Sequence, residues 1–204
     1  MSLQTPRPTS LDLLEPKSEV GEPALPTIAT PRLRLRWLDV QDIDDLFRVF
    51  SDAQATRYWS HATFASRDDA SIYLDAIHRS FDRGESFQWG VTLASSGQLI
   101  GTCTLSRIDA VHGRAEVGFI ISRSHWGHRY GREVLGALLD HAFSSLGLRR
   151  LEADIDPRNQ TALQTLESVG FKREGYLRQR WQLNGETQDS ILLGLLDNER
   201  LRHG

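Results

Sequence analysis

The sequence predicts an α/β domain in which one mixed, mostly antiparallel sheet is flanked by helices. Runs of alternating hydrophobicity occur between runs with helical spacing, in the order strand, two helices, three strands, helix, strand, helix, two strands. The helix between the fourth and fifth strands implies a parallel crossover, because parallel neighbours need a long connection. Hairpin signals between other strands imply antiparallel pairs.

The first 29 residues differ from the rest of the chain. Five of the seven prolines fall within residues 1–29, where aromatic residues are few and periodicity is weak. Such a segment cannot bury enough apolar area to offset the entropy of ordering it. We therefore predict a flexible, proline-rich extension over residues 1–29 and one folded domain over residues 30–204.

The first strand and the first two helices follow from alternation and capping. Residues 32–37 alternate between arginine and apolar side chains, which is typical of a strand with one buried face. Asp39 can cap a helix that continues to residue 50. Ser66 and Asp69 are spaced to favour the start of a second helix.

Turn residues delimit the remaining elements. Strands are predicted at 87–93, 99–108, 115–121, 151–155, 176–183 and 190–196, and helices at 131–146 and 159–169. Ser95-Ser96-Gly97 and Asn184-Gly185 are hairpin signals. Gly147 and Gly170 end the two helices.

Composition excludes several classes of protein. The chain has 204 residues, 39% hydrophobic and 25% charged, with a formal net charge of -3. This charge gives no reason to expect nucleic acid as a partner, and no apolar run is long enough to span a membrane. The single cysteine, Cys103, lies in an apolar run and is interpreted as a small buried hydrophobe. Without paired cysteines or a signal peptide, a cytoplasmic location is expected.

Residues 123–133 lie between a predicted strand and a strong helix. They contain two glycines and three arginines, namely Gly127, Gly131, Arg123, Arg129 and Arg132. The first turn of a helix has unpaired N–H groups and the positive end of the helix dipole, so anions bind there. Glycines and basic residues before a helix are equally compatible with a purely structural role. The segment alone therefore predicts an anion site only weakly.

Several short sequence motifs occur in a fixed order on both sides of residues 123–133. They are TPRLRLR at 30–36, RYWS at 57–60, LIGT at 99–102, EVGF at 116–119, DPRN at 156–159, LESVGFKREG at 166–175 and DS at 189–190. Together they resemble the GNAT superfamily, and more closely its ribosomal-protein N-acetyltransferase (RimJ/RimL-type) branch. The resemblance covers roughly residues 30 to 196. It implies a sheet with a parallel, splayed pair of strands in the middle.

The resemblance also implies acetyl-CoA as co-substrate, with its pyrophosphate held by backbone N–H groups of residues 126–131. The residues implied in binding it are Phe119, Ile120, Ile121, Trp126, Gly127, His128, Arg129, Gly131, Arg132 and Asn159. Arg129 stands where the family pattern has its first glycine, and it could pair with the pyrophosphate or crowd it. No metal is expected, since His125 and His128 lack a third ligand.

The implied reaction is attack of a neutral amine on a thioester carbonyl. Glu116 is the first candidate for the base, acting directly or through water, and an exposed strand glutamate without a catalytic role is the alternative. Backbone N–H groups near residues 119–121 are the predicted donors to the oxyanion.

The general acid is harder to assign from the sequence. A serine frequent in this branch is replaced by Ala162, and a tyrosine used in other GNAT enzymes is replaced by Glu167. Thr161 and Tyr176 are the nearby substitutes, of which Tyr176 is retained as the candidate.

The sequence therefore predicts an N-acetyltransferase whose acceptor is a protein or peptide N-terminal α-amine. The first alternative is a small amine, either a polyamine or an antibiotic, and a pocket lined by several carboxylates would favour it. The second alternative is a non-catalytic module that binds acyl-CoA. The expected partners are acetyl-CoA and the amine, without nucleic acid or membrane, and the expected assembly is a monomer or homodimer. The resemblance also makes Tyr58 and Trp59 candidates for lining the amine pocket, and plain packing is an equal alternative for both.

Overall fold

A computed structural model describes residues 24–59, 61–183 and 185–200, except for the side chain of Leu183. The strands are β1 (Ile28–Ala29), β2 (Leu33–Arg36), β3 (Ser86–Leu93), β4 (Leu99–Asp109), β5 (Arg114–Ile121), β6 (Arg150–Ile155), β7 (Lys172–Leu183) and β8 (Glu186–Leu196). The α-helices are α1 (Ile43–Phe50), α2 (Arg67–Asp82), α3 (Tyr130–Asp140) and α4 (Gln160–Ser168).

The strands form one sheet in the order β1-β2-β3-β4-β5-β6-β8-β7. Neighbours are antiparallel except for β5 and β6, which are parallel. The predicted fold class, a mixed and mostly antiparallel sheet with helices around it, is confirmed.

The parallel pair is short, and this shapes the middle of the sheet. The register of β5 on β6 ends at Glu116, which lies opposite Glu152, while β5 stays paired with β4 as far as Ile121. Within the described part of the chain, no strand therefore pairs with the β6-facing edge of residues 117–121. The two strands separate beyond Glu116 and leave backbone groups available there.

Local sequence signals set the helix starts. Ser66 and Asp69 form the predicted capping box, in which each side chain accepts a hydrogen bond from the other residue's backbone N–H. Asp39 also forms a capping box, but it caps a 3-10 turn, Val40–Asp42, that precedes α1. The predicted helix over 131–146 has two parts, because α3 passes into a π-helical turn, His141–Ser145.

Helices cover the sheet on two faces. Leu99 and Ile100 are adjacent but belong to different buried clusters, as do Ile120 and Ile121, because successive strand residues point to opposite faces. Cys103 is fully buried in one cluster, and burial raises the pKa of its thiol. It is thus the small buried hydrophobe that the sequence predicts. No described helix is both long enough and apolar enough to span a membrane.

The predicted boundary at residue 30 differs from the structure. Leu25 is 5% exposed and belongs to the core. Ile28 and Ala29 pair with β2, and Pro26 O accepts a 3.0 Å hydrogen bond from Trp89 Nε1. The folded domain therefore begins before residue 30, whereas residues 1–23 and 201–204 lie outside the described ranges. A two-residue strand is too short to give a periodic signal.

Candidate active site

A cavity of about 900 Å³ opens where β5 and β6 separate. It is bordered by the segment between α1 and α2, by α2, by the middle of the sheet and by the start of α4. Its lining includes five carboxylates, those of Asp69, Glu116, Asp154, Asp156 and Asp189. Arg107 is the one arginine or lysine among the described lining residues. Two of the carboxylates have arginine partners outside the lining, Asp156 with Arg158 at 2.6 Å and Asp154 with Arg180 at 3.6 Å. Carboxylates still outnumber arginines and lysines among the lining residues.

Glu116 lies on β5 at the last position that pairs with β6, and its side chain is 24% exposed. Its Oε2 accepts a 2.8 Å hydrogen bond from Arg107 Nη1. Burial raises the pKa of Glu116, Arg107 opposes this rise, and the carboxylates of Asp154 and Glu152 add to it. A carboxylate whose pKa is raised is a stronger base, so Glu116 is suited to accept a proton from a substrate.

Asp154 on β6 is the second acid at the point where the strands separate. Its Oδ1 accepts hydrogen bonds from Ser190 Oγ and, at 3.2 Å, from Trp181 Nε1. Its Oδ2 accepts none from any residue that the structure describes, although Arg180 Nε lies 3.6 Å away as an ion-pair partner. The side chain is 4% exposed. This places a nearly buried carboxylate beside Glu116.

Asp154 is absent from the sequence-based predictions for a physical reason. It alternates with the buried Leu151 and Ala153, which is the pattern of a strand with one solvated face. The cavity and the C-terminal hairpin cover that face, which no local signal reveals. An acidic residue placed between apolar neighbours was the available clue.

Aromatic side chains form much of the remaining wall. Tyr58 and Trp59 line the cavity together with Phe64, Tyr73 and Trp181. Burial raises the pKa of Tyr73 to about 12, so its phenol stays protonated at neutral pH. Aromatic faces attract cations, so this wall and the carboxylates favour the same class of ligand.

The structure does not bring the candidate acid Tyr176 into the cavity. Tyr176 is 56% exposed and lies outside the lining, and its hydroxyl donates to Asp189 Oδ2. This hydrogen bond raises the pKa of Tyr176, so it gives up its proton less readily. Thr161 also lies outside the lining, whereas Ala162 contributes to it.

The loop before α3 has the features of an anion site. Gly127 has a φ of 80°, and a Cβ added there would meet nothing within 4 Å. Arg129 is the N-cap residue of α3 with a φ of 60° and no side-chain cap. Arg129 and Arg132 are exposed, and their side chains have no hydrogen-bond or ion-pair partner among the described residues. Arg123 differs, since its Nε donates to Asp52 Oδ2 at 2.7 Å.

The same loop is attached to the end of β5. Trp126 Nε1 donates to Ile121 O at 2.7 Å, and His128 Nδ1 lies 2.9 Å from Trp126 O. Phe119 and Ile120 line the cavity on the other side of this contact. The candidate anion site and the acidic cavity therefore adjoin the same stretch of strand.

Two further predicted residues have clear structural roles. A Cβ on Gly131 would lie 3.1 Å from Phe119 Cε2 and 3.4 Å from Thr165 Cγ2, so glycine lets α3 approach β5 and α4. Asn159 caps α4, its Oδ1 accepting a 3.2 Å hydrogen bond from Ala162 N, and it also lines the cavity. Within the described ranges, no three His, Cys, Asp or Glu side chains are placed so that they could hold a metal ion together.

Comparisons with known proteins show the family to which the chain belongs. The acetyltransferase (GNAT) domain family matches residues 32–172. An uncharacterized N-acetyltransferase, p20, of Bacillus licheniformis is 32% identical over 173 residues, which are 85% of this chain and 97% of that protein.

Two solved structures from Vibrio cholerae are also similar. A putative ribosomal-protein-serine acetyltransferase has a TM-score of 0.75 and 25% identity, covering 83% of this chain and 97% of that one. A spermidine N-acetyltransferase in complex with CoA and spermine has a TM-score of 0.74 and 25% identity, covering 83% and 98%. The chain belongs to the GNAT acetyltransferase family and is an acyl-CoA N-acyltransferase.

Proposed function

We propose that this enzyme transfers an acetyl group from acetyl-CoA to a cationic primary amine bound in the acidic cavity. The observation that carries the proposal is the excess of five lining carboxylates over one arginine. A cleft lined by one sign of charge, with low-dielectric walls, concentrates ligands of the opposite sign. Asp69 and Asp189 form no salt bridge within the described part of the chain, so their charge remains available to a cation.

The start of α3 suits the phosphates of acetyl-CoA. Gly127 leaves open space beside its backbone, and Arg129 and Arg132 are charged and unpaired within the described residues. Arginine binds phosphate oxygens through charge-assisted hydrogen bonds. Acetyl-CoA would supply the acyl carbon as a thioester. Arg129 is proposed to pair with the pyrophosphate, since its side chain is exposed.

The acidic cavity supplies the other requirements of the reaction. Glu116 is proposed to take a proton from the ammonium group, directly or through water, so that the neutral amine attacks the thioester carbonyl. Backbone N–H groups on the free edge of residues 117–121 are proposed to stabilise the oxyanion. A thiol has a pKa of about 8.5, so the thiolate can leave without a strong acid. The proposal gives Tyr176 no role, because its hydroxyl donates to Asp189.

The lining favours a small polycationic amine as the acceptor. Several carboxylates in one cavity suit a ligand with more than one positive charge, whereas a peptide α-amine carries one at its reacting end. The similarity to a spermidine N-acetyltransferase supports this choice. A peptide N-terminal α-amine is the second candidate, supported by the strings shared with the ribosomal-protein branch and by the similarity to a putative ribosomal-protein-serine acetyltransferase.

A competition experiment distinguishes the two acceptors. The full chain is incubated with acetyl-CoA and equal concentrations of spermidine and a short peptide with a free α-amine, and products are quantified by mass spectrometry. We expect acetylated spermidine to predominate about tenfold at low salt, with the preference falling as salt screens the cavity. Predominant acetylation of the peptide at every salt concentration would establish the α-amine instead.

A further inference from the structure

Arg107 forms an ion pair with Glu116, the proposed base, and also contacts an aromatic ring. Its guanidinium Nη1 donates to Glu116 Oε2 at 2.8 Å, and its side chain is 54% exposed. Its guanidinium carbon also lies 5.6 Å from the ring centroid of Trp181, within cation–π distance. The guanidinium group of Arg107 is therefore already paired with the Glu116 carboxylate, which is proposed to take a proton from the ammonium group of the substrate.

The backbone that carries Arg107 is irregular. Arg107 has a φ of 50°, in the left-handed region that non-glycine residues adopt uncommonly, and the β4–β5 register shifts between Ser106 and Asp109. A bulge re-aims a side chain relative to a regular strand, and strained residues of this kind concentrate at functional sites. The bulge directs Arg107 across to Glu116 on the neighbouring strand.

We propose that Arg107 is a resident counter-ion of Glu116, which a cationic substrate displaces, so that Arg107 weakens amine binding and sets its selectivity. This inference rests on the proposed function. Displacement is feasible because the Arg107 side chain is 54% exposed, so its guanidinium group can move into solvent. Glu116 is paired until a competing cation arrives, which prevents an uncompensated buried charge in the free enzyme.

The charged groups around Glu116 determine how its pKa changes when Arg107 is removed. Arg107 faces it from β4, and Asp154 and Glu152 face it from β6. Glu152 is in turn paired with Arg150 at 2.7 Å and Arg114 at 3.8 Å, and Asp154 with Arg180. Arg107 is the group that holds the pKa of Glu116 down. Loss of its charge should therefore move the acidic limb of the pH–rate profile to higher pH.

The test compares Arg107→Asn with two controls. Asparagine tolerates a positive φ, so this substitution removes the charge without adding backbone strain. We expect KM for spermidine to fall by about fivefold, the order of magnitude of an ion pair with one exposed partner, and the acidic limb of the kcat/KM profile to shift to higher pH. Arg107→Lys retains the charge and should stay close to wild type. Arg83→Gln removes an arginine whose 2.8 Å pair with Glu85 lies outside the cavity lining, and it should change neither quantity.

A calorimetric titration with spermidine keeps this test independent of turnover. Arg107→Asn should tighten spermidine binding in the wild-type background and have no effect when Glu116 is already Gln, since the two residues act as a pair. An unchanged or weakened affinity in the single variant, or equal tightening in both backgrounds, would overturn the proposal. Absence of acetylation with normal spermidine binding would instead count against the proposed function.

Discussion

Replacing Glu116 by glutamine is expected to lower kcat/KM for acetyl transfer to spermidine by about 10²–10⁴-fold, the usual contribution of a general base. Glutamine keeps the size of the side chain but cannot accept the proton of the ammonium group. The structure motivates this expectation because Glu116 lines the cavity, and because burial raises the pKa of its carboxyl. The loss should appear mainly in kcat, with the affinity for acetyl-CoA retained.

The pH–rate profile provides a second test of Glu116 as the base. Glu116 acts as a base only when ionised, so the wild-type rate should fall as pH drops through its raised pKa. That limb should be absent from Glu116→Gln, while the ionisation of the amine still governs the rate at higher pH. The matched control is Glu152→Gln, which removes the neighbouring carboxylate on β6 that lies opposite Glu116 but outside the cavity lining. Equal losses in the two variants would remove Glu116 from the mechanism.

Gly127→Asp is expected to weaken acetyl-CoA binding by about 10- to 100-fold. The new carboxylate would stand in the open space before α3, where the phosphates are proposed to bind. Like charges about 4 Å apart repel by ~1 kcal/mol in water and ~4 kcal/mol near a protein surface, and the expected loss lies between these limits. The quantity to measure is the Kd for acetyl-CoA, by calorimetric titration.

The chain contains a matched control for this substitution. Gly97, in the turn between β3 and β4, has a φ of 75° and, like Gly127, nothing within 4 Å of an added Cβ. Gly97→Asp therefore imposes the same backbone demand at a site far from α3 in the sequence, and it should leave the Kd unchanged. If Gly127→Asp also binds acetyl-CoA with the wild-type Kd, the phosphates do not bind beside Gly127.

The elements that the sequence predicts well are those set by local signals. The capping residues Ser66 and Asp69 predict the start of α2 from a segment of only four residues. Alternation of arginine and apolar side chains over residues 32–37 predicts β2. The parallel pairing of β5 and β6 follows from the length of the connection between them. β1 is not predicted, because a strand of two residues cannot display a period.

The candidate site is less predictable because its lining comes from segments far apart in the chain. The sequence identifies Glu116, Tyr58 and Trp59, all of which line the cavity. It also groups Arg123 with Arg129 and Arg132, which are proposed to bind phosphate, whereas Arg123 pairs with Asp52, 71 residues away in the sequence. The contact between Arg107 and Glu116 depends on a bulge that no periodic pattern reveals.

The proposed acetyl transfer is tested most directly by incubating the full chain with acetyl-CoA and spermidine while following two products. Free CoA thiol is measured optically, and the acetylated amine is measured by mass spectrometry. We predict that the two form in equal amounts with the wild-type enzyme and that both nearly vanish with Glu116→Gln. Thiol release without an acetylated amine, or no transfer to spermidine or to a peptide α-amine by a protein that binds acetyl-CoA, would contradict the proposal.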